Sequence, residues 1–235
     1  YREYERGIAT WLNASLEPVM SNYLNSLEQE LGPSSFQIMQ SSGETIAAEK
    51  AARSSVSLLL SGPAAGLRAI QYIGEQVGVS KIISFDMGGT STDVALIDGK
   101  IETTIEGRIG RYPVGVPMLD MHTIGAGGGS IAFIDDGGLL RVGPRSAGAA
   151  PGPICYQNGG TEVTVTDANL VLGRLPRGIK LAGGLSLSVD KAHIAIKNLG
   201  LRLGLTAEET AEGTIRIANE HMSKAIRMIS VNKGY

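Results

Sequence analysis

The sequence is short of several things, and each shortage removes a class of protein. It has one cysteine, Cys155, so no internal disulfide can form and a disulfide-stapled secreted fold is excluded; a reducing, cytoplasmic location is the expectation. Neither sign of charge is in surplus, since 21 Lys and Arg against 23 Asp and Glu leave a net charge of -2. There is thus no electrostatic footprint for nucleic acid or an anionic membrane, and no partner of either kind is expected. No apolar run is long enough to span a bilayer, no signal-peptide pattern opens the chain, and no repeat of solenoid length is visible. Aromatics are scarce at 5%, and Trp11 and the neighbouring tyrosines read as packing anchors rather than a ligand cage. Glycine is abundant: 32 residues, clustered in loops without a collagen period. At 235 residues the chain has length for one large domain or two small ones. It opens at Tyr1 with helical sequence already under way and stops just after a helix, so both ends read as cuts in a longer protein.

The organising stretch is Lys81–Ile97. Ile82–Phe85 is an uncharged apolar run, as expected of a strand buried on both faces. Val94–Ile97 is a second strand, and Asp98-Gly99 is a hairpin signal leading into Lys100–Ile105. Between the strands lies Asp86-Met87-Gly88-Gly89-Thr90-Ser91-Thr92-Asp93, a turn of glycines and hydroxyls with an acid at each end. Glycine lets backbone approach a polyanion closely, and successive N–H groups and hydroxyls line a phosphate-sized concavity. Asp86, leaving the strand end, is placed to hold a hydrated Mg2+. An ordinary acidic-edged hairpin is the plainer alternative, but Asp-x-Gly-Gly-Thr-x-Thr-Asp after an apolar strand is much more specific than a glycine pair. A P-loop is excluded because no Gly-Lys-Ser/Thr ends the loop. A Rossmann fingerprint does not fit because the loop leads into a strand.

Elsewhere the periodicities predict a helix over 2–31, with an apolar stripe from Val19 to Leu31, a fresh start or kink at Pro18, and a stop at Gly32-Pro33. A short strand is expected at 36–40, a helix at 44–53, and a buried strand at 56–60. A helix then begins near Pro63, carries Leu67, Ile70, Ile73 and Val77 on one face, and ends at Gly78. With the strand at 81–85 this makes a βαβ unit with parallel strands. A hairpin is expected for 131–134 and 139–142 about Asp135-Asp136-Gly137-Gly138. Asp167 is read as the cap of a helix over 168–172, Ser188 or Asp190 as the cap of another ending at Gly200. Thr206 with Glu209 forms a capping box for the last helix, whose stripe is Ala211, Ile215, Ala218, Met222, Ala225 and Ile229. The expected organisation is a helical lead-in (1–32), an α/β core holding the loop (33–185) and a helical segment (186–235).

Further chemical candidates follow the loop. Asp120 and His122 stand two apart before a glycine loop, a spacing that on a strand directs both side chains to one face. They either share a metal, pass a proton to an attacking water, or form a hydrogen-bonded pair that fixes the loop. Gly127, Gly128 and Gly129 are costly in chain entropy, so their backbone must come close to something, either a ligand such as phosphate or another strand. Arg145 is either a bidentate anion clamp or a surface arginine. Cys155, with no base nearby in sequence, reads as a small packed side chain rather than a nucleophile.

These motifs carry a resemblance. The 86–93 loop resembles a phosphate loop of the actin, sugar kinase and chaperone ATPase superfamily. More closely, the chain resembles the hydantoinase/oxoprolinase family, ATP-dependent openers of cyclic amides. The match runs through Leu60–Gly66, Met118–Ser130, Pro151–Tyr156 and Thr164–Leu170 in order. The resemblance implies an α/β, actin-like (ribonuclease H-like) ATPase lobe in which 86–93 is the second phosphate motif. It implies the cofactors ATP and Mg2+, a small cyclic amide substrate such as hydantoin or 5-oxoproline, and a second, hydantoinase B-type subunit or domain. A first phosphate loop and an adenosine-binding segment, expected of the family, lie outside this stretch. The reading is therefore a central part of an N-methylhydantoinase or 5-oxoprolinase type subunit, inactive alone. An actin-like switch module and a subunit of an ATP-dependent ketone carboxylase are the alternatives. Departures at Glu44 and Gln157-Asn158 bear on the substrate.

Overall fold

The computed structural model describes residues 2–32, 36–109, 112–176, 178 and 180–235. The chain divides into two compact units that interleave along the sequence. One takes the chain up to Ser84 together with Ala95–Met121, and the other Phe85–Val94 with His122–Tyr235.

In the first unit, α1 (Glu3–Leu31) runs unbroken through Pro18; no fresh helix starts there, and Pro33 of the expected stop lies outside the described residues. Of its predicted stripe only Leu24 is buried, while Val19, Tyr23 and Leu31 are exposed. Ala9 and Leu12 pack toward Val56, Val114 and Met118, and Trp11 lies against Tyr112 with ring centroids 5.8 Å apart. Strand β1 (Gln37–Met39) pairs antiparallel with β2 (Thr45–Ala47), and α2 (Ala48–Arg53) follows directly. The helix expected over 44–53 therefore gives its first turn to a strand, in keeping with β-branched Thr45 and Ile46.

The strand expected at 56–60 is a 3-10 turn over Ser55–Leu58, which removes the βαβ unit. Ser55 and Ser57 hydroxyls donate to the Ala52 and Ser54 carbonyls, local bonds that compete with extended pairing. Leu60 then adopts a left-handed conformation, φ 60°. Helix α3 (Ser61–Val77) ends on Gly78, which is left-handed at φ 71°. Ala64 and Leu67 of α3 pack with Ala95, Ile97, Ile101 and Leu119.

Strands β3 (Lys81–Met87) and β4 (Thr92–Asp98) flank the glycine turn, and β4 folds back antiparallel on β5 (Lys100–Ile101) through Asp98-Gly99 as expected. β3 is an edge strand rather than one buried on both faces: only Ser84 is buried, and Ile83, Phe85 and Met87 are about two-fifths exposed. Short pairs complete the unit: β6 (Thr103–Thr104) with β9 (Met118–Leu119), and β7 (Arg108–Ile109) with β8 (Tyr112–Pro113).

In the second unit, β10 (His122–Ile124) pairs antiparallel with the first half of β4. The expected hairpin is β11 (Ser130–Ile134) with β12 (Leu140–Ser146). Three helices cover it: α4 (Val165–Val171), α5 (Val189–Leu201) and α6 (Ala207–Ile229). The α6 stripe is buried as its 3.6-residue period requires, with Ala211, Ile215 and Ala218 joined to Ala132, Val142, Ala168 and Ile196 in one core. Its capping box is present: Thr206 accepts from the Glu209 N–H, and the Glu209 carboxylate accepts from the Thr206 N–H at 2.8 Å. α5 is capped by Ser188. α4 begins earlier than expected, with Thr164 as its cap and Asp167 one turn in, completing a second capping box.

Candidate functional site

The turn between β3 and β4 is built from two layers of backbone. Gly88 N–H donates to the Ser91 carbonyl at 2.9 Å and closes the turn. Behind it runs the second glycine loop. Gly128 N–H donates to the Gly88 carbonyl at 3.0 Å, and Gly129 N–H to the Gly89 carbonyl at 2.6 Å. Gly127 N–H donates to the Ser130 hydroxyl at 2.9 Å. A Cβ at Gly127 would lie 2.8 Å from backbone atoms of Gly88, Gly89 and Thr90, and one at Gly129 would lie 2.8 Å from the Gly89 carbonyl oxygen. Two readings were open for these glycines, a ligand or another strand; the close approach is to chain, at the turn between β3 and β4 rather than at a strand. The N–H groups of Gly127, Gly128 and Gly129 are taken up within the chain, and the three residues buttress the Gly88–Ser91 turn.

The outer layer is open. Gly89, Thr90 and Ser91 have N–H groups with no acceptor among the described residues. The Thr90 and Ser91 hydroxyls and the Asp86 carboxylate likewise have no partner there, and Gly88, Gly89, Thr90 and Asp86 are exposed. A Cβ at Gly89 would meet nothing within 4 Å, so the turn is open to solvent there. Successive unpaired N–H groups at such a turn make an anion-binding concavity. A single free carboxylate beside it fits Mg2+, which is commonly held by one or two carboxylates together with phosphate oxygens and water. The described residues contain no cluster of three or more His, Cys, Asp or Glu suited to a protein-only metal cage.

Two of the expected loop ligands are turned to other work. Thr92 is fully buried and its hydroxyl donates to the Ala126 carbonyl at 2.5 Å, while Asp93 accepts from the Thr123 hydroxyl at 2.5 Å. The second bond ties β4 to β10 and the first ties it to the glycine loop after β10, and both hold the turn's exit.

Asp120 and His122 do not share a strand face. β9 ends at Leu119 and β10 begins at His122, so Asp120 lies in the break, and the two residues belong to different units. In the β4–β10 register His122 opposes Val94 and Thr123 opposes Asp93. Opposed residues share a face and neighbours alternate, so His122 projects from the face opposite to Asp93. There it lines a cavity of about 630 Å³ with His221 and Lys224 of α6.

Arg145 lies on β12 rather than in a loop, and its guanidinium engages the Glu162 carboxylate. Of the two readings left open for Arg145, this exposed ion pair matches the surface arginine. Cys155 is fully buried; burial first, and then the Asp167 carboxylate, push its thiol far above the usual range, so it stays protonated and packed.

Asp167 and Thr166 carry more of the site than their sequence positions suggest. Fully buried Asp167 accepts from the N–H groups of Cys155 and Thr164 at 2.8 and 2.9 Å, and from the Thr164 hydroxyl at 2.7 Å. Thr166 donates both its N–H and its hydroxyl to the Gly128 carbonyl, each at 2.8 Å. The Thr164-x-x-Asp167 capping pattern is a sequence signal for the first; nothing local signals the second.

Comparison with known proteins agrees with this architecture. The model of the hydantoinase/oxoprolinase family matches residues 6–235. The alpha subunit of caprolactamase from Pseudomonas jessenii is 42% identical over 240 residues, covering all of this chain and 34% of that protein. The gamma subunit of acetophenone carboxylase from Aromatoleum aromaticum is 36% identical over 244 residues, covering 99% of this chain and 33% of that one. A nucleotide-free acetone carboxylase, solved in connection with ATP-dependent acetone carboxylation, superposes with a TM-score of 0.89 at 30% identity, covering all of this chain and 34% of that one. The chain thus spans about a third of the length of the relatives it matches first. With the family model matched over almost its whole length, the chain belongs to the hydantoinase/oxoprolinase family.

Proposed function

We propose that this chain is part of the ATP-binding subunit of an ATP-dependent cyclic-amide hydrolase, with the Asp86–Ser91 turn as a phosphate site. The observation that carries this reading is the free set of donors at Gly89, Thr90 and Ser91 beside the unpartnered Asp86 carboxylate. Phosphoryl transfer asks of a protein chiefly positioning and charge neutralisation. The turn supplies the first through N–H groups on a doubly supported backbone. Asp86 supplies a hold for Mg2+, which when bound would offset the phosphate charge. Transfer of the terminal phosphoryl group to the amide oxygen would activate the carbonyl for attack by water.

The wider fold is read as an actin-like ATPase lobe, and the protein as one that works with a second, hydantoinase B-type subunit or domain. The subunit names of the caprolactamase and acetophenone carboxylase relatives support the latter. A second reading, a subunit of an ATP-dependent ketone carboxylase, is favoured by the TM-score of 0.89 to the acetone carboxylase. Both readings use the same phosphate site and differ in the acceptor.

The test is ATP hydrolysis by the full-length protein with its partner subunit. Stimulation by a lactam or hydantoin supports the amidase, and stimulation by a ketone with bicarbonate supports the carboxylase. In either case Asp86→Asn should lower turnover at least about tenfold with the fold intact. Unchanged turnover in Asp86→Asn would leave Asp86 as a mere hairpin acid.

A further inference from the structure

The phosphate turn does not stand on its own strands alone. Its carbonyls at Gly88 and Gly89 are held by Gly128 and Gly129 N–H groups, and the Gly128 carbonyl, on the far side of the peptide that carries the Gly129 N–H, is held in turn. It accepts from the Thr166 N–H and from the Thr166 hydroxyl, both at 2.8 Å. Thr166 itself sits in the first turn of α4. That turn is anchored by the buried Asp167 carboxylate, which draws in the backbone of Cys155 and Thr164. The first turn of α4 thus joins a buried, hydrogen-bonded carboxylate to the backbone behind the anion cradle.

We propose that Thr166 is a positioning residue for the phosphate loop, setting its place through the Gly128 carbonyl without touching nucleotide. This rests on the reading of Gly89–Ser91 as the phosphate cradle. The physical basis is that N–H donors act on a developing charge only when already aimed at it, and displacement by a fraction of an ångström weakens them. Two donors on one carbonyl fix both the distance and the tilt of the Gly128–Gly129 peptide, whose N–H holds the Gly89 carbonyl. Removing the hydroxyl leaves one donor and lets that peptide tilt.

The test compares variants of the full-length protein. Thr166→Val keeps the β-branched shape and the N–H bond and loses only the hydroxyl. It should lower kcat/KM for ATP about three- to tenfold, and Thr166→Ser should restore it. Leu170→Ala, which removes a fully buried side chain from the same helix, should lower the thermal midpoint and leave kcat/KM for ATP unchanged at a temperature where the protein is folded. Wild-type kinetics in Thr166→Val would overturn the proposal. So would a loss in Thr166→Val that Leu170→Ala reproduces, since the role would then be structural. Gly89→Ala and Asp86→Asn separate this from the parent reading, because a methyl at Gly89 meets no protein atom yet occupies the cradle. If those two lose turnover and Thr166→Val does not, the positioning role alone fails. If neither loses turnover, the phosphate site fails and the positioning role with it.

Discussion

Gly127→Ala tests the two-layer construction of the turn by placing one methyl group between its layers. The added Cβ would stand 2.8 Å from the Gly88 oxygen and from the carbonyl carbons of Gly89 and Thr90. All three are backbone atoms, so no rotamer change relieves the contact, and the loops must separate. Overpacking of this kind costs about 1–3 kcal/mol. Separation also weakens the Gly128–Gly88 and Gly129–Gly89 hydrogen bonds, each worth about 0.5–1.5 kcal/mol. The expected destabilisation is about 2–6 kcal/mol, a large part of the stability of an ordinary domain. At about 2–4 °C per kcal/mol for a domain of this size the thermal midpoint should fall by about 4–24 °C. Gly89→Ala is the matched control. Its Cβ meets nothing within 4 Å and its φ is not in the left-handed region, so its midpoint should move by about 2 °C or less, as for ordinary surface changes. The assay is thermal unfolding followed by far-UV circular dichroism. Equal midpoints for the two variants would refute the claim that the triple glycine exists to admit backbone to backbone.

Three more expectations concern other parts of the chain. Burial holds Cys155 as a thiol, so a thiol-reactive dye at about pH 8 should label it only after unfolding; prompt labelling of the native protein would contradict the packing. Glu209 has its pKa lowered first by the Thr206 N–H and then by the Thr206 hydroxyl. Its stabilising effect should therefore be complete above the unfolded value near 4.5 and be lost as pH falls through the lower folded value; Glu209→Gln should flatten that acid limb of the melting curve, and an unchanged limb would count against the capping box. Because His122 faces the α6 cavity and not Asp93, His122→Ala should change ATP turnover in the full-length protein far less than Asp86→Asn; an equal loss would restore His122 to the phosphate chemistry.

How much of this was legible in the sequence depended on how far apart the partners lie. The β3–β4 turn, the Asp98-Gly99 and 135–138 hairpins, the Thr206–Glu209 box and the α6 stripe are written in contiguous residues, where turn chemistry and helical period suffice. Val56–Leu60 has a strand's composition, but the hydroxyls of Ser55 just before it and Ser57 within it bond to nearby carbonyls, and the segment closes into a 3-10 turn. Ile83 and Phe85 read as buried because an apolar run does not announce whether its strand lies at a sheet edge. The Asp120–His122 spacing implied a shared face only if one strand carried both, and the break at residues 120–121 removes that premise. The three glycines signalled a close approach, but what they approach lies some forty residues back. Thr166 gave no signal at all, since its partner is a carbonyl, and every residue has one.

The most direct measurement is a structure of the full-length protein with Mg2+ and a non-hydrolysable ATP analogue. The account predicts a phosphate oxygen at about 2.7–3.2 Å from the N–H nitrogens of Gly89, Thr90 or Ser91, with Asp86 facing the metal directly or through water and the Gly127–Gly129 backbone unmoved behind them. A nucleotide whose phosphates lie away from this turn, with Asp86 in bulk solvent, would contradict it.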